Sequence, residues 1–278
     1  MIEVFKSLRT TFGSMELLSH LTMRELRTRY RRSVLGWGWS LLSPISQVTV
    51  YTFVFSVVLK VTPTAGVPSG NHYYAFYLFA AILPWHFLAH SINNATHAMR
   101  NSRQLITKVN FPRELVIISN MLSMFVTLLV ELLVLQVALA LFGYSGYRYL
   151  PVVVLLITIE AIFVTGICLF VGASSVYNRD VPYLTSILVT IWFYLTPILY
   201  SPDRLPERGR IFFFSFPMRS VMFANPMAKL TVAYRECFYH VRMPGLGGIA
   251  YVAVVAVVVF LAGYRYFLNK SPWFAEYI

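Results

Sequence analysis

The sequence predicts an all-α membrane protein with six transmembrane helices. Of its 278 residues, 58% are hydrophobic and only 12% are charged, which is about half the charged share of a typical soluble domain. Six apolar runs are near or above the length that a helix needs to cross a bilayer core. They lie at about residues 40–61, 73–92, 115–142, 150–176, 183–200 and 248–268. An even number of crossings places both termini on the same side.

The chain is strongly basic, with a formal charge of +12. Its lysines and arginines cluster at the ends of the apolar runs, as in membrane proteins, and no basic groove with interleaved aromatic residues stands apart from them. The charge therefore favours anionic membrane lipids as partners and argues against nucleic acid. Fourteen basic residues lie in the termini and short loops of one side, and seven of the other nine lie in one long connection. Both termini are therefore expected in the cytoplasm.

Residues 1–37 are predicted to form a cytoplasmic arm that ends in an amphipathic helix. Apolar residues recur at spacings of three and four, which places them on one helical face: Met23, Leu26, Tyr30, Val34 and Trp37. Arginines occupy the rest of the helix: Arg24, Arg27, Arg29, Arg31 and Arg32. Such a helix lies along the membrane surface. Residues 38–278 show no internal repeat and are predicted to form a single transmembrane domain.

The basic connection after the second span, residues 100–113, is predicted to contain a short helix. Asn101 or Ser102 can cap this helix, and Phe111 with Pro112 can end it. The apolar face of the helix consists of Leu105, Ile106, Val109 and Phe111. A basic loop that only follows topology is one interpretation, but an apolar face at this place is typical of a segment that fills a socket on a partner.

The long outer connection, residues 201–247, contains apolar pieces that Pro217 and Pro226 interrupt. Each piece is too short to cross a bilayer, so we expect half-helices that enter the outer leaflet and return. The alternative is a helical pair that crosses fully, which would give eight spans.

Acidic and histidine side chains inside the spans are candidate functional residues. Glu131 and Glu160 lie in the third and fourth spans, where an ionisable group is costly. A proton relay is one interpretation, but no buried lysine, arginine or histidine is expected beside them, so bonding to neighbouring helices or protonation is preferred. His86, His90 and His97 have helical spacing, but no carboxylate or cysteine close in sequence completes a metal site, so none is expected.

Four segments taken together resemble a known family. They read ELRTRYRRSVLGWGWSLLSPI, ILPWHFLAHSINNATHAMRNSRQLITKVNFPRELV, YNRDVPYLTSILVTIWFYLTPILY and NPMAKLTVAYRECFY. In this order they resemble the permease subunits of type 2 ABC exporters, and more narrowly the branch that exports lipid-linked polysaccharides such as O-antigen, teichoic acid and galactan precursors. The resemblance covers essentially the whole chain.

The resemblance implies a homodimer of six-span subunits in the cytoplasmic (inner) membrane, with two copies of a separate ATPase beneath it. It implies that residues 21–32 are the interface helix, residues 100–113 the coupling helix and residues 202–240 the re-entrant outer gate helices. The expected ATPase-coupling residues are Arg100, Arg103, Leu105, Ile106, Lys108, Val109, Phe111 and Pro112. The expected interface-helix residues are Arg24, Leu26, Arg27, Tyr30, Arg31 and Arg32.

The chain has no phosphate-binding P-loop, because no glycine is followed by lysine. We therefore expect no catalytic residues and no bound cofactor in this chain, with ATP and Mg²⁺ on the partner ATPase. The same absence fits a channel or a secondary transporter.

One face of the first span and one of the fifth mix aromatic, hydroxyl and amide side chains. Aromatic faces with polar neighbours suit sugar rings, and in related exporters the first and fifth spans line the channel. The expected path residues are Gln47, Tyr51, Phe55, Tyr183, Thr190 and Tyr194. Ordinary packing or an interfacial aromatic belt is the competing interpretation. Two other functions stay open: an exporter of drugs or lipids in the same superfamily, and a membrane-embedded glycosyl or lipid transferase.

Overall fold

The computed structural model describes residues 7, 13–29, 33, 35–36, 38–58, 60, 65–109, 111–144, 146–202, 209–211, 214–216 and 218–277. The helices are α1 (Met15–Arg29), α2 (Gly38–Thr52), α3 (Tyr74–Asn101), α4 (Arg103–Lys108), α5 (Glu114–Leu141), α6 (Leu150–Tyr177), α7 (Val181–Leu195), α8 (Met218–Ala224), α9 (Pro226–Arg235), α10 (Leu246–Lys270) and α11 (Phe274–Tyr277). Two π-helical segments continue helices of the described residues, Phe53–Val58 after α2 and Glu236–His240 after α9.

The prediction of a helical fold is confirmed, with one small exception in the described residues. The strands β1 (Gly209–Ile211) and β2 (Phe214–Phe216) pair antiparallel, with Gly209 opposite Phe216. They lie in the long connection between α7 and α8. The sequence analysis did not predict this hairpin.

Within the described residues, five helical segments are long and apolar enough to cross a membrane. They are Gly38–Val58, Tyr74–Asn101, Glu114–Leu141, Tyr147–Tyr177 and Leu246–Trp273, which correspond to the first, second, third, fourth and sixth predicted spans. The fifth predicted span, residues 183–200, contains the apolar helix α7, which has only 15 residues. At 1.5 Å per residue this helix is about 22 Å long, less than the roughly 30 Å of a hydrocarbon core.

Helix α3 is the centre of the bundle. It contacts α2, α5, α6, α7 and α9. In the apolar 18-residue stretch of α3, 67% of the residues are buried. In the corresponding stretch of the segment that contains α2, only 11% are buried. Helix α2 therefore lies at the edge of the subunit, and α3 is the element that holds the others together.

Two glycines lie at a close contact between α6 and α10. A β-carbon at Gly166 would lie 2.6 Å from the backbone N and Cα of Phe260, and one at Gly263 would meet the carbonyl of Gly166. Small residues at such crossings let helix backbones approach closely, which increases packing contacts where lipid provides little hydrophobic driving force. The α6–α10 pair therefore depends on glycine at both positions.

Helix α1 uses a different apolar face from the predicted one. Its buried residues are Leu18, Leu21 and Leu26, whereas Met23 is 47% exposed. Leu18 and Leu21 pack on Leu115 at the start of α5, and this contact determines which face of α1 is buried. Leu26 is thus buried within the chain, whereas Met23 is exposed and its contact with a membrane surface stays a prediction. Tyr30, Arg31, Arg32, Val34 and Trp37 lie outside the described residues.

The connection between α3 and α5 contains the predicted short helix, α4, which has six residues and follows the end of α3 at Asn101. Ser102 occupies the N-cap position of α4, but its side chain makes no capping bond. Its carbonyl accepts the N–H groups of Leu105 and Ile106, both at 3.0 Å. The backbone alone therefore starts this helix.

Candidate functional site

The connection after α3 presents a short basic surface. Its exposed residues are Arg103, Gln104, Thr107, Lys108 and Val109, which we call the docking tip. Beneath them Ile106 is only 4% exposed and joins the core of the bundle. Burial of Ile106 fixes the orientation of α4, so the two charged side chains of the tip face outward.

Three of the four apolar residues predicted to fill a socket on a partner pack within the chain itself. Ile106 is buried in the core, and Leu105 and Phe111 pack on the leucine cluster that α1 forms with the start of α5. Burial of Ile106 leaves it unable to fill a socket on a partner, whereas Leu105 and Phe111 are only half-buried and their contact with a partner stays a prediction. Val109, which is 51% exposed, remains available to a partner.

Two arginines attach this connection to the rest of the bundle. The Nη2 atom of Arg100 donates a hydrogen bond of 2.6 Å to the carbonyl of Ser175 near the end of α6. Arg113 donates to the carbonyl of Ser271, just after α10. The half-buried Pro112 accepts the N–H of Leu115 at 3.1 Å and so begins α5. A force on the docking tip therefore has direct routes to α5, α6 and α10.

The predicted path residues of α7 are all exposed. Tyr183 and Tyr194 are 73% and 63% exposed, and Thr190 lies between them on the same surface. The buried residues of this helix are Thr185 and Val189. Most of α7 is thus free to face a channel, lipid or a second subunit.

The predicted path residues of α2 lie in a different environment. Gln47, Tyr51 and Phe55 are half-buried. The Nε2 atom of Gln47 donates to the hydroxyl of Tyr51 at 3.3 Å, and Phe55 stacks on Tyr74 of α3 with ring centroids 6.0 Å apart. These side chains therefore pack partly within the subunit, and their role in a path stays a prediction.

A buried arginine that the sequence analysis did not single out ties α9 to the end of α7. Arg235 is 3% exposed. Its guanidinium donates to the carbonyls of Tyr77 at 3.1 Å, of Pro197 at 2.5 Å and of Ile198. Because α7 ends at Leu195, the carbonyls of Pro197 and Ile198 have no helical partner, and Arg235 supplies their donors. The sequence feature that could have indicated this role is an arginine among the mostly apolar residues of α9.

Asn225 joins the start of α9 to the same turn. Its Oδ1 atom accepts the N–H of Met227 at 3.0 Å, which caps the helix, and the indole N–H of Trp192 at 2.9 Å. Its Nδ2 atom donates to the hydroxyl of Thr196 at 3.0 Å. Asn225 and Arg235 thus hold both ends of α9 against the end of α7.

Glu160 is bonded as the sequence analysis preferred. The carboxylate is fully buried, and its Oε2 atom accepts the hydroxyl of Tyr234 at 2.7 Å. Its Oε1 atom has no hydrogen-bond partner among the residues that the structure describes. The bond connects α6 to α9, so Glu160 helps to hold α9 in position.

Glu131 lies in a different environment from the one expected. The prediction that no arginine or histidine accompanies it is wrong, because Arg29, His86 and His90 line the same cavity as Glu131. The rings of His86 and His90 have centroids 5.4 Å apart. Sequence reasoning missed this cluster because α1, α3 and α5 contribute one part each. In the described part of the chain, no three histidine, cysteine or acidic side chains lie close enough to hold a metal ion.

Comparison with known proteins gives consistent results over most of the chain. A family model described as ABC-2 type transporter matches residues 16–239. The chain is 33% identical over 267 residues to the O-antigen export system permease protein RfbA of Myxococcus xanthus, with 94% of this chain and 95% of that protein covered. Two proteins of the same description from Klebsiella pneumoniae are 27% and 26% identical over 265 residues, with 94% of each chain covered.

Proposed function

Because this chain belongs to the ABC-2 type transporter family and is a multi-pass membrane protein, we propose that it is the membrane subunit of an ATP-driven exporter of a lipid-linked polysaccharide. The polymer crosses the cytoplasmic (inner) membrane through a channel at the centre of a homodimer. One observation carries the proposal: the chain is similar over 94% of its length to permeases named for O-antigen export.

Energy for export comes from two copies of a separate ATPase, which bind ATP and Mg²⁺ on the cytoplasmic side. The docking tip supports this role because it exposes Arg103, Lys108 and Val109 on a helix that the buried Ile106 holds in place. Closure of the ATPase pushes the tip, and packed helices carry the displacement. Arg100 and Arg113 are the connections through which α6 and α10 receive it.

The exposed surface of α7 supports a channel between two copies of the chain. Its exposed tyrosines, Tyr183 and Tyr194, combine flat apolar rings with hydroxyl groups, and such faces suit pyranose rings. Helix α7 is too short to cross alone, so the turn of residues 196–200 completes the fifth crossing. In this arrangement α8 and α9 are re-entrant gate helices, and both termini are cytoplasmic.

A cargo of drugs or lipids is the second candidate. The same helix exposes Ile187, Leu188 and Ile191, at 56%, 64% and 51%, and an apolar cargo would use these side chains. The names of the similar proteins favour the polysaccharide.

The docking role is tested by co-purification of the ATPase with an affinity-tagged permease. A permease with R103E, K108E and V109D is expected to insert in the membrane at the normal level and to lose the ATPase. Leu105 is left unchanged because it packs on α1, so its replacement would also damage the subunit. The matched control is R148E, a reversal at an exposed arginine in the connection between α5 and α6. Retention of the ATPase by the triple variant would contradict the docking role.

A further inference from the structure

A polar cavity of about 300 Å³ lies where α1 ends and α2 begins. Ligand cavities in proteins start at about this volume. Helices α3 and α5 form its other walls. Its chemically distinctive lining residues are Arg29, Trp39, His86, His90, Asn94 and Glu131. Neither the docking tip nor the outer helices contribute to this cavity.

Its depth in the membrane follows from the length of α2. The segment Gly38–Val58 has 21 residues, about 31 Å of helix, which matches the roughly 30 Å of a hydrocarbon core. Trp39, at the start of that segment, therefore lies at one edge of the core. With the N-terminal arm in the cytoplasm, this is the cytoplasmic edge. The cavity begins at the level of lipid headgroups, where the first sugars of a lipid-linked glycan also lie.

Two side chains of the cavity, Glu131 and Asn94, have hydrogen-bonding capacity that the described residues do not fill. Glu131 is only 6% exposed, yet no donor among the described residues bonds to its carboxylate. The amide of Asn94 makes a weak contact of 3.6 Å with the sulfur of Met124. Neither side chain is among the fully buried polar groups of the described residues that lack a partner, so both have polar atoms that a ligand in the cavity can reach.

The hydrogen-bond donors and acceptors of the cavity indicate whether it fits a phosphate group or a sugar. A site for a phosphate group consists of donors, whereas Glu131 is an acceptor when ionised and would repel an anion. Asn94 and the imidazoles of His86 and His90 both donate and accept, which matches neighbouring sugar hydroxyls. Trp39 is 50% exposed and adds an aromatic face of the kind that packs on the C–H side of a pyranose.

We propose that this cavity binds a lipid-proximal hexose unit of the exported glycan before the polymer enters the channel. The inference rests on the proposed export function and assigns a sugar site on the cytoplasmic side of the subunit. Glu131 and Asn94 bond to hydroxyl groups, and Trp39 supports the ring. Arg29 lies close enough to interact electrostatically with both Glu131 and His90.

Binding is tested on the permease–ATPase complex in lipid nanodiscs by saturation-transfer NMR. The probes are glucose, galactose, mannose, rhamnose and N-acetylglucosamine. At least one probe is expected to bind, and E131L and N94L are each expected to weaken its binding at least tenfold. E131Q, which keeps an acceptor oxygen, is expected to lose less. The matched control is H97Q, an exposed histidine of α3 outside the cavity, which should bind as the wild type does.

Several results would overturn the proposal. They are binding by none of the five sugars, affinities of E131L and N94L within twofold of wild type, and displacement of the sugar by inorganic phosphate. Gel filtration of each variant checks its fold, and the conservative E131Q keeps the test valid if E131L is unstable. Surface polysaccharide is measured in parallel in wild-type cells. Export without sugar binding contradicts this inference alone, whereas absence of export contradicts the proposed function.

Discussion

The guanidinium carbon of Arg235 lies 3.7 Å from the centroid of the Tyr77 ring. The same guanidinium donates to the carbonyl of Tyr77 and to those of Pro197 and Ile198. The side chain of Arg235 thus packs on the central helix α3 and donates hydrogen bonds to the carbonyls just after the end of α7. In a bilayer this is a strong constraint, because neither lipid nor bulk water can replace the donors that it supplies.

Replacement of Arg235 should therefore destabilise the outer half of the subunit. In R235M the carbonyls of Pro197 and Ile198 lose their donors, and each buried unsatisfied group costs about 1–3 kcal/mol. R235K, which keeps the charge but not the planar set of donors, should lie between R235M and wild type. The measurement is thermal unfolding of the purified protein in detergent. The matched control is R242M, because Arg242 is half-exposed and pairs with Glu236, so its loss should cost less than about 1 kcal/mol. Equal stability of the two methionine variants would contradict the prediction.

The bond between Tyr234 and Glu160 should behave as a coupled pair. Y234F leaves a fully buried carboxylate without its donor and should destabilise the protein by about 1–3 kcal/mol. E160M combined with Y234F removes both polar partners and should recover part of the loss. A double-mutant cycle of unfolding free energies measures the coupling. Additive effects of the two changes would show that the bond contributes nothing.

The glycine contact between α6 and α10 should not tolerate a side chain. G263A places a methyl group against the carbonyl of Gly166, and such overpacking costs typically about 1–3 kcal/mol. G247A, near the start of the same helix, adds the same group where nothing lies within 4 Å. A lower midpoint of thermal unfolding is expected for G263A and not for G247A. Equal midpoints would mean that the helices do not approach at Gly263.

Replacement of Tyr194 on α7 distinguishes a transport role from a packing role. Tyr194 is 63% exposed, so Y194A should leave the amount of protein in the membrane unchanged. We expect it to lower surface polysaccharide severalfold if sugar rings pass over this ring. Tyr51 is half-buried, so Y51A should lower both protein level and export. L188A is the control for a general effect of truncation on α7, since Leu188 is 64% exposed on the same helix. Normal export by Y194A would remove Tyr194 from the path.

The sequence predicts the long helices well because a bilayer imposes a minimum apolar length, and five predicted spans match helices of that length. Where several helices meet, periodicity gives no information about which face is covered. For α1 it favoured Met23, although the start of α5 selects Leu18 and Leu21. The same limit hid the neighbours of Glu131, because His86 and Arg29 reach it from two other helices.

Arg235 illustrates a second limit. Its bonds join it to Tyr77, 158 residues away, and to Ile198, 37 residues away. A lone arginine in an apolar helix indicates a functional or structural partner, but nothing local in sequence identifies that partner. The break between the short helices α8 and α9 was predictable from Pro226, whereas the donors that satisfy the end of α7 required the tertiary structure.

Transport of a lipid-linked polysaccharide into inverted membrane vesicles tests the central claim most directly. In such vesicles the cytoplasmic face is outside, so exported polymer becomes protected from an added glycosidase. The proposed function predicts protection that requires ATP, this chain and the partner ATPase together. Protection without ATP, or equal protection in vesicles that lack this chain, would contradict it.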